Sequence, residues 1–483
     1  MMQEKTLAEI LQIEDSAELL AICCPNTGIP LWTTIRHAFL VLIMGDLLYD
    51  SPIVKMEGAL RSGTKLKAAT AISKSFVHNA IRLRTINQEY PVALMATGAR
   101  LLKREDQYFN ALSDYFITSA PHQTLVIEDL FGWQWPFPRQ NNNVLIHTPL
   151  RVEGELRGRL RGGRYRELAR GLVDLVSQRA KDLLDWNTGE ERCRWLEKRC
   201  SNGAASLLPR YQTYQTIFKK MGARLLIKEE ACYGGADNAA AILAARHLGM
   251  VTAEYQHGAV SSGHIAYNFA SAVSANHAYR QILPDYFLAY GSWWGEQINA
   301  PIKKIALGNP HRAATLAAAP MDHAHRTQIL ILGDGIETAV YLELCARLSV
   351  ALGNTFEVIF RPHPLERASV WDKHPDGFVG AVRVDASKDI YSSFQLAKAV
   401  VSEVSTGLFE AIGLVPKVFI WDTPKARFGY PVHPFQIFSD ATELAHLVLD
   451  ESAGHVGGQQ MESIWAPNWK LNYLDFLEEV LHQ

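Results

Sequence analysis

The chain has 483 residues, 48% hydrophobic and 20% charged, with a formal net charge of -2. That length is too great for one ordinary core and predicts two or three domains, and the composition excludes a disordered chain. The near-neutral charge excludes a global field drawing the chain to nucleic acid, so any anion site must be local.

The N-terminal stretch MMQEKTLAEILQIEDS is polar and acidic, without the basic-then-apolar order of a signal peptide. The apolar stretch Ala38 to Tyr49 is interrupted by Asp46 and falls well short of the roughly 20 residues a membrane span needs, so it reads as a buried helix. Six cysteines are scattered without a CxxC pair, as expected of free thiols in a reducing cytosol. The expectation is a cytoplasmic protein, neither secreted nor membrane-spanning.

From Leu7 to about Asp114 apolar residues recur mainly at helical spacing. YPVALMAT, TLVIEDL and VLIHTPL read as three short buried strands. Arginine is then dense from Arg151 to Arg170. That segment is either a patch for an anionic acceptor or headgroup, or a solvated face balanced by Glu153, Glu155 and Glu167; the second reading is preferred.

From Tyr211 the pattern alternates. ARLLIKEE, NAAAILAARHLGM and VTAEYQHG read as strand, helix and strand, a βαβ unit. PDYFLAYG and KKIALGNP add two strands. The Ala-rich stretch Arg312 to Arg326 reads as a linker. TQILILGDG, ETAVYLELCARLSVALG, FEVIFRPHP, AKAVVSEVSTG, LFEAIG and PKVFIWD then form a second doubly wound series from about Gln328 to Gly454. WKLNYLDFLEEVLHQ is an amphipathic C-terminal helix.

Ligands of open parallel sheets bind beyond the carboxyl ends of the strands. The polar residues following each predicted strand are therefore the candidates. Arg361, His363 and Pro364 form a stiff RPHP element whose arginine could hold phosphate in bidentate fashion. Ser402, Ser405 and Thr406 precede a helix start that could attract phosphate, or simply cap that helix. Glu410 follows, as a ribose-hydroxyl acceptor or as a dipole-compensating charge. Gly333, Asp334 and Gly335 open a helix where glycine lets backbone approach a ligand, and Asp334 suits a turn equally well. His257, before Gly258, could act as a general base at the sheet edge or be a structural histidine. Glu230 is the rival base.

Taken together, IKEEACYGGADNAAAILAARHLGMVTAEYQHG, LPDYFLAYGSWW, ALGNP, RPHP and SEVSTGLFEAIGLVPKVFI resemble bacterial capsule, lipopolysaccharide and related surface-polysaccharide glycosyltransferases of GT-B fold. The resemblance covers roughly the last 270 residues. RPHP and SEVST are similar to the HP and Ser/Thr motifs of bacterial sialyltransferases and Kdo transferases. It implies that Arg361, His363, Ser402, Ser405 and Thr406 hold the CMP part of a donor. QHG resembles the His-Gly loop of teichoic-acid polyol-phosphate transferases, implying a base at His257. Sialyltransferases carry their acidic motif in the N-terminal domain, so Asp334 is not expected as the base. Glu403 and Glu410 are seven apart, not the eight of retaining GT-B enzymes.

The expected fold class is thus α/β GT-B: two Rossmann-like doubly wound domains facing a cleft, with extra helices in the N-terminal half. Residues 1–318 form an acceptor-side domain whose Rossmann-like part spans 211–310. Residues 319–460 form the nucleotide-sugar-binding domain, and 461–483 a helix packing back on the first domain. The expected activity is metal-independent sugar transfer, inverting, with no cofactor beyond the donor. The expected partners are a nucleotide sugar, a saccharide or glycolipid acceptor, and peripheral contact with the inner membrane or an assembly complex, without nucleic acid. The rivals are a polyol-phosphate transferase, a nucleotide-sugar epimerase, or a non-catalytic scaffold of the same fold.

Overall fold

A computed structural model describes residues 5–49, 65–86, 88–318, 326–353, 355–364, 366–374, 377–380, 382–387 and 389–482. Among the described residues, nine strands come from the first part of the chain: β1 Val92–Ala96, β2 Leu101–Arg104, β3 Gln107–Asn110, β4 Thr124–Glu128, β5 Val144–Ile146, β6 Leu225–Lys228, β7 Val251–Tyr255, β8 Tyr286–Ala289 and β9 Lys303–Ala306. Seven come from the second: β10 Gln328–Leu332, β11 Glu357–Arg361, β12 Phe378–Val379, β13 Val382–Val384, β14 Ala397–Ser402, β15 Lys417–Trp421 and β16 Gln436–Phe438.

The first sheet runs β5-β4-β1-β6-β7-β8-β9, parallel throughout. Every residue of β1, β4, β5 and β6 is buried, as expected when helices cover both faces of a parallel sheet. The second sheet runs β12-β13-β11-β10-β14-β15-β16, with only β12 antiparallel. In each sheet the chain starts at a central strand, winds outward one way, then crosses back and winds the other. That is the doubly wound Rossmann order, repeated in tandem: a GT-B architecture. β2 and β3 pair as a separate hairpin just beyond β1.

The Rossmann-like part of the first half is larger than residues 211–310. Its central strand is β1, and the three short runs left within a mainly helical region are β1, β4 and β5. The intervening chain, helices His147–Arg161, Arg166–Leu184 and Glu190–Met221, inserts before the winding resumes at β6. The Ala-rich segment read as a linker begins as the helix Pro310–Ala318, and residues 319–325 lie outside the described residues.

The apolar N-terminal stretch forms the helix Trp32–Leu48, largely buried. Its Arg36 forms an ion pair with Glu14 at 2.6 Å, with both side chains inaccessible to water. Arg36 also donates to the carbonyls of Ile265 and Asn268, each at 2.6 Å. The first helices thereby pin the loop that follows β7. The C-terminal helix Trp469–Leu481 packs on the first sheet: Tyr473 meets Phe116 at 4.7 Å between ring centres, and Asn472 donates to the Leu307 carbonyl at 3.0 Å. Among the described residues no helix is long and apolar enough to cross a membrane.

Candidate active site

A doubly wound sheet opens a crevice where its winding reverses, because loops leaving neighbouring strands there diverge to opposite faces. In the first sheet that point lies between β1 and β6. Thr97 to Arg100 leave one strand, and Glu229 and Glu230 leave the other. The Thr97 N–H donates to Glu229 Oε2 across the gap at 2.6 Å. In the second sheet the reversal lies between β10 and β14, flanked by Gly333–Gly335 and Ser402–Thr406.

The two carboxyl edges meet. The loop carrying His257 reaches the turn after β14, where the Ala259 N–H donates to Thr406 Oγ1 at 3.2 Å. A Cβ on Gly263 would stand 1.9 Å from the Phe428 carbonyl oxygen, so the loop after β7 touches the second half at backbone distance. Trp294 packs on Phe409 with ring centres 4.6 Å apart, and Trp465 Nε1 donates to the Phe409 carbonyl at 3.1 Å.

His257 lies in this seam. Its Nε2 is 3.8 Å from Glu230 Oε1 and 3.5 Å from the Tyr233 hydroxyl, while its Nδ1 is buried without a hydrogen-bond partner. Burial, with the positive charge of Arg100 and His264, pushes the imidazole pKa down to about 3, so it is neutral at physiological pH. Burial and the neighbouring Glu230 push Glu229 up to about 8, which leaves it protonated. Glu230 stands in the left-handed region at φ 58, and Asn238 Nδ2 donates to its carbonyl at 2.6 Å.

The expected donor residues divide into two groups. Three are committed to the protein itself. Arg361 Nη1 pairs with Asp385 and donates to the Ser387 carbonyl and Ser393 Oγ, each at 2.9 Å, so that arm braces the loop after β13. Ser402 Oγ donates to the Leu332 carbonyl at 2.8 Å, tying β14 to β10. Asp334 accepts from the N–H groups of Ile336 at 2.8 Å and Glu337 at 2.9 Å, and its other oxygen meets Lys425 Nζ at 3.1 Å. Asp334, Glu337 and Glu403 bring carboxylate oxygens close enough for a cation, but the Lys425 ammonium contacts all three.

The second group faces the seam or borders it. His363 lies beside Gly335, where a Cβ would sit 3.0 Å from its ring; Gly335 has φ +80 and accepts no side chain easily. Pro364, next to it, is exposed. Burial, with Arg100 and Arg367 nearby, lowers the His363 pKa. Ser405 Oγ accepts from the Gly407 N–H at 3.1 Å, the capping alternative, and Thr406 contacts the His257 loop. The helix there, Gly407–Ala411, has five residues, so its dipole is weak. Glu410 is pushed up by burial, opposed by its hydrogen bond to Tyr391 and by the charges of Arg100 and Arg312.

Arg100 is the residue that strand-end reasoning missed. Its field reaches His257, Glu229, His363 and Glu410, groups from both halves, and its Nη2 donates to the His257 carbonyl at 3.4 Å. The available signal was Tyr90–Thr97: once that run is taken as the central strand, Arg100 falls at the crevice. Of the arginines of 151–170, Arg157 pairs with Glu153 at 2.5 Å and Arg151 with Asp129 at 3.1 Å, while Arg159, Arg161, Arg164, Arg166 and Arg170 are exposed.

No protein-family model matches the chain, and no curated protein matches it. Solved structures do. The UDP-GlcNAc 2-epimerase of Methanocaldococcus jannaschii, in complex with UDP-GlcNAc and UDP, is 10% identical at TM-score 0.43, covering 81% of this chain and 99% of its own. MurG of Acinetobacter baumannii is 12% identical at TM-score 0.38, covering 80% and 99%. The wall teichoic acid polymerase TagF is 10% identical at TM-score 0.39, covering 87% and 100%. The doubly wound strand order of the two sheets, not these likenesses, defines the fold.

Proposed function

We propose that this chain is a metal-independent glycosyltransferase that moves a sugar from a nucleotide-activated donor to a hydroxyl of a surface-polysaccharide or glycolipid acceptor. Residues 1–318 serve the acceptor and 319–460 the donor, whose candidates include CMP-linked Kdo and sialic-acid-like sugars. The observation that carries the reading is the meeting of the His257 loop with the turn at Thr406, which puts a neutral imidazole between two Rossmann crevices.

In this reading the donor phosphate contacts His363, Thr406 and the Arg100 guanidinium, a cation suited to phosphate oxygens. The acceptor hydroxyl approaches His257 Nδ1, the ring nitrogen without a partner. His257 takes the hydroxyl proton as the acceptor oxygen attacks the anomeric carbon, and the bond to the nucleotide phosphate breaks, with inversion. Glu230, facing Nε2, stabilises the imidazolium so formed. Because Nδ1 is buried, the halves open to admit substrates and close to exclude water.

The deciding experiment measures melting temperature with CMP, UDP, GDP and TDP, since a ligand of the folded state alone raises it. At least one nucleotide is expected to do so. His257→Ala is expected to keep that shift and abolish transfer. No shift with any nucleotide leaves only a scaffold, and turnover of a sugar donor without acceptor makes the protein an epimerase.

A further inference from the structure

The helix Lys65–Thr85 has an unusual outer face. The helix carries Lys65, Lys67, Lys74, Arg82 and Arg84 and no acidic residue; Arg82 turns inward, half-buried, and donates to Asn143 Oδ1. Its inner side carries Ala71, Ser75 and Asn79. Asn79 Nδ2 donates to the Ile146 carbonyl at 2.7 Å, and its Oδ1 accepts the Ile146 N–H at 2.8 Å, which locks the helix onto the edge strand β5. Its outer side holds Leu66 at 78% exposure, Phe76 at 46%, Val77 at 60% and Ile81 at 60%. At 3.6 residues per turn these four fall within one half of the helix surface. The helix His147–Arg161 packs beside it and adds Leu156 and Leu160 at 53% and 82% exposure, with exposed Arg159 and Arg161; its Glu153 and Glu155 are paired with Arg157 and Arg210.

Isolated exposed apolar residues are ordinary on a protein surface; a cluster of large ones among cations, with no acid on the helix, is not. We infer that this face docks on an anionic lipid surface, with the apolar side chains entering the headgroup boundary and the cations meeting lipid phosphates. Charge selects this occupant. A two-fold pairing of copies through the same face would set the exposed Lys65, Lys67, Lys74 and Arg84 against the same four cations, which is repulsive, whereas an anionic leaflet neutralises them. The whole chain has a net charge of -2, so the attraction is local to this face and not a global field. The helix is anchored at the residue before His147, at the carboxyl edge of the first sheet, so docking holds that edge beside the membrane. The inference goes beyond the transferase reading and does not rest on it.

The test is co-sedimentation of the full chain, without nucleotide, on phosphatidylcholine vesicles with and without phosphatidylglycerol. Wild type is expected to pellet with the anionic vesicles alone, and less so as salt rises. Val77→Glu with Ile81→Glu is expected to weaken that binding by roughly tenfold or more at an unchanged melting temperature. Lys65→Glu with Arg84→Glu, which leaves the apolar residues in place, is expected to weaken it likewise. Equal binding to both vesicle types, binding to neither, or wild-type binding by both double variants overturns the inference. So does a wild-type dimer in sedimentation velocity that Val77→Glu with Ile81→Glu dissociates, since the face then belongs to a second copy.

Discussion

His257 and Glu230 lie 3.8 Å apart, close enough for the carboxylate to favour a protonated ring only when the ring gains a proton. Glu230→Gln keeps the shape and removes the charge. Under the transferase reading kcat falls by about tenfold to a hundredfold with KM nearly unchanged, because the lost interaction exists only once the imidazolium forms. Steady-state kinetics on a donor–acceptor pair measures it. Arg36 shows a different kind of dependence. Its guanidinium is buried with Glu14 and two carbonyls, so Arg36→Ala strands a carboxylate and costs about 3–5 kcal/mol by chemical denaturation. Replacing both partners, Arg36→Met with Glu14→Leu, recovers much of that loss, since no charge is then left unpaired. Residue types at strand ends were legible from the chain. Which of them are committed inward was not: Arg361 and Ser402 have the same local context as free ligands, and only Asp385 and Leu332, 24 and 70 residues away, show their commitments.

At the scale of elements, three largely but not fully buried imidazoles gather where the helix Trp32–Leu48 meets the loop after β7. Tyr233 joins them: its hydroxyl is 3.5 Å from His257 and 3.2 Å from His264, and its ring centre is 4.8 Å from that of His37. Burial, then neighbouring positive charge that includes Arg36 and His264, pushes His37 down to about 3; burial alone dominates His264, at about 4. These groups bind fewer protons folded than unfolded. Their neutral burial is therefore cost-free above the unfolded histidine pKa of about 6.5, and stability is lost as pH falls below it. Glu229, near 8, and Glu254, pushed by burial to about 7, run the other way: their contribution is present at low pH and is lost as pH rises through those values. The melting temperature is expected to peak at about pH 6.5 and to decline on both sides. His264→Gln removes one titrating group and should flatten the acid limb; a limb of unchanged slope rejects the account. The elements themselves were largely readable, because buried parallel strands are short apolar runs bounded by turns. Their grouping was not. β1, β4 and β5 belong to the same sheet as β6 despite the three helices inserted between β5 and β6.

For the molecule as a whole, the transferase reading requires the two halves to meet and part. Gly263 is the tightest point of that meeting, with no room for a Cβ against Phe428. Gly263→Ala is expected to prop the seam open. Nucleotide-induced stabilisation should survive, while transfer falls by roughly tenfold or more for want of a closed site. Small-angle scattering should show a larger radius of gyration than wild type in the presence of nucleotide.

Local pattern was sufficient for one class of property. The α/β class, the tandem winding of the second half, and the placing of His257 and His363 at strand ends follow from apolar runs and turn residues, because hydrophobic burial and backbone hydrogen bonding act over a few residues. What only the tertiary structure decided has a common cause: it depends on contacts between segments far apart in the chain. The entry of β1 into the first sheet, the place of Arg100 at its crevice, the bracing of the His257 loop by Arg36, and the commitment of Arg361 are of this kind. A charge's role is set by the partners that packing brings to it, and no local spacing encodes those partners.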